Sequence, residues 1–262
     1  MEYIGYLASI IIGLSLGLIG GGGSILAVPI FVYLFKINPE QATTYSLFIV
    51  GFTAMIGSIS HYKLGNLKIK AAIIFAAPSI LSLLFIRKII LPLIPSNLAT
   101  IDSFDITKDL LIMVVFAFLM IATSFSMIKK SKAVSEMTKV NVLMLAVIGL
   151  LVGLIIGFLG AGGGFLIIPA LLFFGNLPMK QAVGTSLFII FINSMIGFTG
   201  DLIGGVEVDY EFLGLISIMA VVGLMIGTTL CKKIDGSKLK PAFGWFVLIM
   251  GIYIITKELF LK

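Results

Sequence analysis

Residues 11–35, IIGLSLGLIGGGGSILAVPIFVYLF, and residues 151–175, LVGLIIGFLGAGGGFLIIPALLFFG, are the same stretch written twice. They align without a gap. Gly13, Gly17, Gly20, Gly22, Gly23 and Pro29 meet Gly153, Gly157, Gly160, Gly162, Gly163 and Pro169. The match continues through QATTYSLFIV (41–50) against QAVGTSLFII (181–190), and Met55-Ile56-Gly57 against Met195-Ile196-Gly197. Each copy lies in an apolar run of roughly 33 residues, which as one straight helix would be about 50 Å long, too long for a single bilayer span. Consecutive glycines are poor helix interior, each costing roughly 1 kcal/mol relative to alanine. Each run therefore reads as two half-helices meeting at an unwound glycine tract. Paired discontinuities of this kind in two halves of a membrane chain point to a solute-binding site.

Working outward, the composition agrees. Sixty per cent of the 262 residues are hydrophobic and 11 per cent are charged, against about 25 per cent charged in a soluble domain. Mean hydropathy is +1.21. Apolar runs fall near 3–35, 41–60, 69–94, 109–128, 141–175, 181–200, 211–231 and 241–261. The expected fold is an all-α polytopic membrane protein: one transmembrane domain over 1–262, built from repeats 1–130 and 139–262. The net charge of +6 comes from loop lysines without interleaved aromatics, so nucleic acid is set aside. A single cysteine, Cys231, excludes an intrachain disulfide and a cysteine metal cluster, and no cofactor or metal is expected. The first apolar stretch has no basic flank and belongs to the repeat, so it reads as retained rather than cleaved.

Loop charge suggests how the halves run. The loops 129–140 (Lys129, Lys130, Lys132, Lys139) and 232–240 (Lys232, Lys233, Lys238, Lys240) are both basic, which favours the cytoplasmic side. Both fit one side if 141–175 is a re-entrant hairpin, leaving two crossings between them. The acidic loop 201–211 (Asp201, Glu207, Asp209, Glu211) then lies outside, and its counterpart 61–70 (Lys63, Lys68, Lys70) inside. Matching loops of opposite charge describe an inverted repeat, with both termini outside; a parallel 4+4 arrangement is the alternative. The segment 95–109 has no counterpart and reads as an extra external loop.

The half-helix starts at Gly20, Gly21, Gly22, Gly23 and Ser24, and at Gly160, Gly162, Gly163 and Gly164, would offer unpaired N–H groups suited to an anion. Close helix packing also favours such small residues. Gln41, Thr44 and Ser46, with Gln181, Thr185 and Ser186, begin the next helix of each half, and hydroxyls and amides can replace an anion's hydration shell. Helix capping is their other reading. Asn193, two turns beyond Ser186, is a ligand or glue between helices. His61 and Asp201 occupy equivalent positions and are candidates for coupling or gating, or else mark a helix end at the interface. Arg87, the only arginine, either snorkels to the interface or guides an anion. No ionisable side chain is expected deep within a span, and no nucleophile or carboxylate pair suggests an enzyme.

GLIGGGGSILAVPIF and GFLGAGGGFLIIPAL, each followed by QAxxxSLF, resemble the sulfite exporter TauE/SafE family of membrane permeases over almost the whole chain. Ala161, which interrupts the second glycine run, is a mild departure. The resemblance implies a transporter of sulfite, sulfonates or related sulfur-containing anions in the cell (plasma) membrane, the inner membrane of a prokaryote. Its partners would be the lipid bilayer, a small anionic sulfur-containing substrate and a coupling ion, with H+ the candidate; a homo-oligomer is compatible. An anion channel, or a carrier for another small anion, is the alternative.

Overall fold

The computed structural model describes residues 2–101, 104–128, 141–160, 163–231 and 236–260. The first half contains α1 (Glu2–Ile19), a 3-10 helix (Gly21–Leu26), α2 (Ala27–Tyr33), α3 (Pro39–Lys63) and α4 (Ile69–Phe85). A π turn (Ile86–Ile90) and α5 (Leu91–Leu93) extend α4. A hairpin of β1 (Asn97–Ile101) and β2 (Phe104–Thr107) leads to α6 (Lys108–Ile128). The second half contains α7 (Val142–Leu159), α8 (Gly164–Phe173), α9 (Met179–Ile203), α10 (Tyr210–Cys231) and α11 (Gly236–Phe260). Six of these helical stretches are long and apolar enough to cross a membrane. Within the segment expected to be an extra external loop, 95–109, Ala99–Ile101 pair against Phe104–Ile106 as antiparallel ladder. Its run is too short for a period-two pattern to stand out from loop sequence.

The helix starts follow from sequence. Asn38 caps α3 by accepting from the Gln41 N–H at 2.7 Å, with Pro39 in the first turn, where its missing N–H costs nothing. Asn141 caps α7 in the same way, accepting from Met144 N–H at 3.0 Å.

The glycine-bearing runs are broken. α1 ends before Gly20 (φ 73°), and α8 starts after Gly163 (φ 65°), backbone that a side chain would strain. The first run then folds back on itself. A Cβ on Gly5 would lie 2.4 Å from the Phe35 ring, and the Tyr6 and Phe35 rings are 5.7 Å apart. The start of α1 and the chain just beyond α2 are therefore neighbours.

The duplication reaches the turns. After α2, Lys36 is left-handed and Ile37 N–H donates to Phe31 O; after α8, Asn176 is left-handed and Leu177 N–H donates to Leu171 O, both at 3.1 Å. After α3, Asn66 N–H donates to His61 O, as Val206 N–H does to Asp201 O after α9.

The halves pack by exchange. α1 lies along α10, and α7 along α4. Cβ atoms on Gly13 and Gly17 would strike the carbonyls of Ala220 and Leu224, so these helices run parallel. Gly149, Gly153 and Gly157 sit likewise on the carbonyls of Phe75, Ser79 and Leu83. Spacing of four puts each glycine set on one face and lets the backbones touch, as membrane helix pairs favour. At the centre α3 and α9 run antiparallel: Gly57 faces Leu187, Gly197 faces Leu47, and Gly51 faces Ser194 and Met195.

Candidate functional site

One end of the bundle carries the starts of α3, α6 and α10 and the ends of α9 and α11. Lys108 of α6 bridges to Glu40 of α3 at 2.7 Å. Tyr33 donates to Glu258 of α11 at 3.0 Å. All the carboxylate residues among the described residues (Glu2, Glu40, Asp105, Asp109, Asp201, Glu207, Asp209, Glu211 and Glu258) lie toward this end. At the opposite end, where α3 finishes and α9 starts, lie Lys63, Lys68, Lys70 and Lys180. The loop 129–140 and residues 232–235, with Lys129, Lys130, Lys132, Lys139, Lys232 and Lys233, fall outside the described residues.

A cavity of about 780 Å3 opens at the acidic end, lined by Gln41, Thr44, Arg87, Lys88, Asp201 and Glu207 among others. Arg87 is buried rather than snorkelling to an interface, at 7 per cent exposure. The π turn carries it, a widening of the helix often found at functional positions. Its Nε donates to Asp201 Oδ1 at 2.6 Å and its Nη2 to Asp201 Oδ2, making a two-pronged pair. Nη2 also donates to Thr43 Oγ1 at 3.1 Å and Thr44 Oγ1 at 3.2 Å, and Nη1 to the Gly157 carbonyl at 3.3 Å. Thr44 Oγ1 donates to Asp201 Oδ2 at 2.7 Å. Hydropathy alone places Asp201 at a helix end. Asp201 does sit in the last turn of α9, but Thr44 of α3 and Arg87 of the π turn close on it, so two charges are buried together where none was expected. Such a pair is retained at considerable desolvation cost.

Gln41, Thr44, Arg87 and Asp201 are thus brought together. Gln41 Nε2 donates to Tyr45 Oη at 3.4 Å and to the Glu207 carbonyl at 3.3 Å, tying α3 to the loop before α10.

The glycine breaks lie apart from this cavity's lining. Gly20 faces Val183, Gly160 faces Thr43, and Gly21 meets Gly164 backbone to backbone. Gly21, Gly22, Gly23 and Ser24 form the 3-10 helix, where Ser24 Oγ donates to Gly21 O at 2.9 Å. Gly163 faces Ile156, and Gly162 lies outside the described residues.

Ser46 and Thr53 of α3 and Asn193 and Ser194 of α9 form a further group, of which Ser194 faces Gly51 across the α3–α9 contact. Each is fully buried, and the Oγ of Ser46, Oγ1 of Thr53, Oδ1 of Asn193 and Oγ of Ser194 have no hydrogen-bond partner. Asn193 Nδ2 donates to Ser79 Oγ at 2.7 Å. Buried polar groups are nearly always satisfied, so these four orphans, with His61 Nδ1 a fifth on the same two facing helices, stand out. Thr53 and Thr43, absent from the sequence-derived candidates, join the site only through the fold. Thr53 had one available signal, since it aligns with Asn193 across the repeat.

At the basic end, His61 packs against Gly184, with its Nδ1 buried and unpartnered. Thr185 Oγ1 accepts from the Lys68 N–H at 3.0 Å. Ser186 Oγ is spent on Val183 O at 2.8 Å, and Gln181 sits half-buried in the first turn of α9. His61 is the repeat counterpart of Asp201, and Gly184 of Thr44. The acid and hydroxyl contact at one end is therefore replaced by imidazole on glycine at the other.

Six apolar membrane-length helices, broken companion segments and a cavity ending on buried charge belong to a multi-pass membrane transport protein. The model of the family described as Sulfite exporter TauE/SafE matches residues 5–254, and the chain belongs to that family. A "Probable membrane transporter protein" of Xylella fastidiosa (strain Temecula1) is 30% identical over 260 residues, covering 95% of this chain and 92% of the relative. The "Probable membrane transporter protein YunE" of Bacillus subtilis is 26% identical over 284 residues, covering 96% and 97%. A Methanocaldococcus jannaschii relative, "Probable membrane transporter protein MJ0441", is 37% identical over 117 residues, covering 42% of this chain and 43% of its own. No solved structure matches. The protein is a membrane transporter and not an enzyme.

Proposed function

We propose that this protein is a secondary transporter that moves a small sulfur-containing oxyanion or sulfonate by alternating access. The observation that carries the reading is the cavity of about 780 Å3 whose floor is a buried guanidinium. A planar guanidinium fork suits an oxyanion, and burial strengthens the attraction. The class of anion rests on the family's description alone.

The acidic end faces outward in this reading, because lysines concentrate at the other. The cavity is then the outward entry, and the repeats are inverted, as antiparallel packing of the equivalent helices α3 and α9 supports. The solute passes from Arg87 and Thr44 along the α3–α9 seam, where Ser46, Thr53, Asn193 and Ser194 replace its hydration shell. The glycine breaks form the joints on which the hairpins move and the main-chain wall beside the path. His61 and Thr185 meet the solute at the inner end.

A carrier fits better than a channel, because the seam is packed shut by Gly57 on Leu187 and Gly197 on Leu47. The test is counterflow. Proteoliposomes loaded with unlabelled sulfite should accumulate external radiolabelled sulfite transiently, with sulfate, thiosulfate, taurine and sulfoacetate ranked as competitors. Absence of exchange with all five would sink the reading, and passive, unsaturable flux would identify a channel.

A further inference from the structure

We infer that Asp201 is a built-in substitute for the transported anion, and that a proton must neutralise it before the anion can take its place on Arg87. The inference rests on the anion-transporter reading above and supplies its coupling ion.

The geometry carries the argument. Asp201 occupies two adjacent donors of Arg87, Nε and Nη2, the edge that recognises planar or tetrahedral oxyanions in two-pronged fashion. The rest of the guanidinium is fixed to parts that do not leave, namely Thr43, Thr44 and the Gly157 carbonyl. Only the Asp201 edge is exchangeable, and it borders the cavity.

Charge balance then restricts what can happen. The side chains of Arg87 and Asp201 are 3 and 8 per cent exposed. An anion added beside an ionised Asp201 would place two negative charges on one buried cation, and the like charges repel strongly. Protonation removes the conflict. The carboxylate takes one proton from the cavity side, the guanidinium keeps its charge, and a monovalent anion restores the neutral pair. The new carboxyl O–H can donate to Thr44 Oγ1, 2.7 Å away, once the threonine hydroxyl turns its own hydrogen off Asp201 Oδ2. When the anion leaves toward the other side, Asp201 loses the proton there and closes on Arg87 again. One proton therefore accompanies each monovalent anion.

Few other charges bear on Asp201. Lys88 of the π turn, Glu40 of α3 and Glu207 of the following loop line the same cavity, and Glu40 is bonded to Lys108 of α6. The 3-10 helix and α8 bring no charged residue, and α7 contributes the Gly157 carbonyl. His61, Lys63, Lys68, Lys70 and Lys180 stand at the far end.

The experiment is a thermal-shift titration of the purified full chain with methanesulfonate, ethanesulfonate and isethionate, sulfonates whose single negative charge does not change across the neutral and mildly acidic range scanned. At least one should stabilise wild type, with apparent affinity falling up to roughly tenfold per pH unit as pH rises. Asp201→Asn should bind that anion with little pH dependence. Because Asp201→Asn leaves a buried guanidinium poorly paired, the double variant Arg87→Gln with Asp201→Asn is measured beside it; it should melt cooperatively and bind none. Wild-type binding that ignores pH, or Asp201→Asn with unchanged pH dependence, would overturn the inference while leaving the transporter reading intact; a double variant that binds like wild type would overturn it and also take the anion off Arg87, removing the support of the transporter reading. If no anion stabilises wild type at any pH, the anion reading itself fails and the inference with it.

Discussion

Gly21 and Gly164 touch through their main chains: a Cβ on Gly164 would lie 2.1 Å from Gly21 Cα, and one on Gly21 would lie 2.3 Å from Gly164 Cα. This contact joins the two broken segments, one from each half, and no solute fits between these two atoms. Gly164→Ala should lower stability by about 1–3 kcal/mol, because the obstruction is backbone and cannot rotate away. Gly214→Ala is the control, since nothing lies within 4 Å of its added methyl. It should be neutral or slightly stabilising through helix propensity. Detergent melting curves of the two variants decide the matter, and equal melting temperatures would contradict the packing.

How much of this was readable in the chain divides by mechanism. The duplication, the spans and the interruption at the glycines were legible, because each is a local pattern of hydropathy and backbone preference. What each glycine does was not. Gly13, Gly17, Gly153 and Gly157 belong to the same repeated tract as Gly20–Gly23, yet they seat parallel helices on one another. A missing Cβ looks the same in sequence whichever neighbour approaches. Arg87 and Asp201 are 114 residues apart, and neither periodicity nor the repeat pairs them. Asp201 could be matched only to His61, and its burial depends on α4 lying against α9. The orphan hydroxyl of Thr53 had only its alignment with Asn193 to mark it, since a threonine among apolar neighbours is ordinary in a helix.

The inverted arrangement makes a labelling prediction. Leu64, just past α3, and Tyr210, at the start of α10, are 67 per cent exposed each and lie at opposite ends of the bundle. In a Cys231→Ser background, Leu64→Cys should react with an impermeant maleimide only after the membrane is opened. Tyr210→Cys should react in intact cells. Labelling of both from the same side would rule out the proposed orientation of the halves.

Asn193 tests whether the α3–α9 seam carries the solute. Its Nδ2 bonds Ser79, but its Oδ1 has no partner. Asn193→Leu removes that unsatisfied acceptor but also strips buried Ser79 Oγ of its donor, so stability should fall by about 1–3 kcal/mol. Sulfite uptake into proteoliposomes should also fall at least roughly tenfold, equivalent to about 1.4 kcal/mol in the barrier. Uptake at the wild-type rate in a well-folded variant would remove the seam from the path.

Ser46 and Ser186 are equivalent in sequence, but their hydroxyls are not equivalent in use. Ser186 Oγ donates to the Val183 carbonyl at 2.8 Å, a bond within its own helix. Ser46 Oγ is buried with no partner, so it alone has unspent hydrogen-bonding capacity to offer a passing anion. Losing one such bond costs about 1 kcal/mol. Ser46→Ala should therefore raise the KM for sulfite about fivefold, while Ser186→Ala should shift it by less than about twofold. Saturation curves from the two variants in the same lipid make the comparison. An equal loss in both would mean that the repeat's chemical symmetry, rather than the local bonding of each hydroxyl, governs contact with the solute.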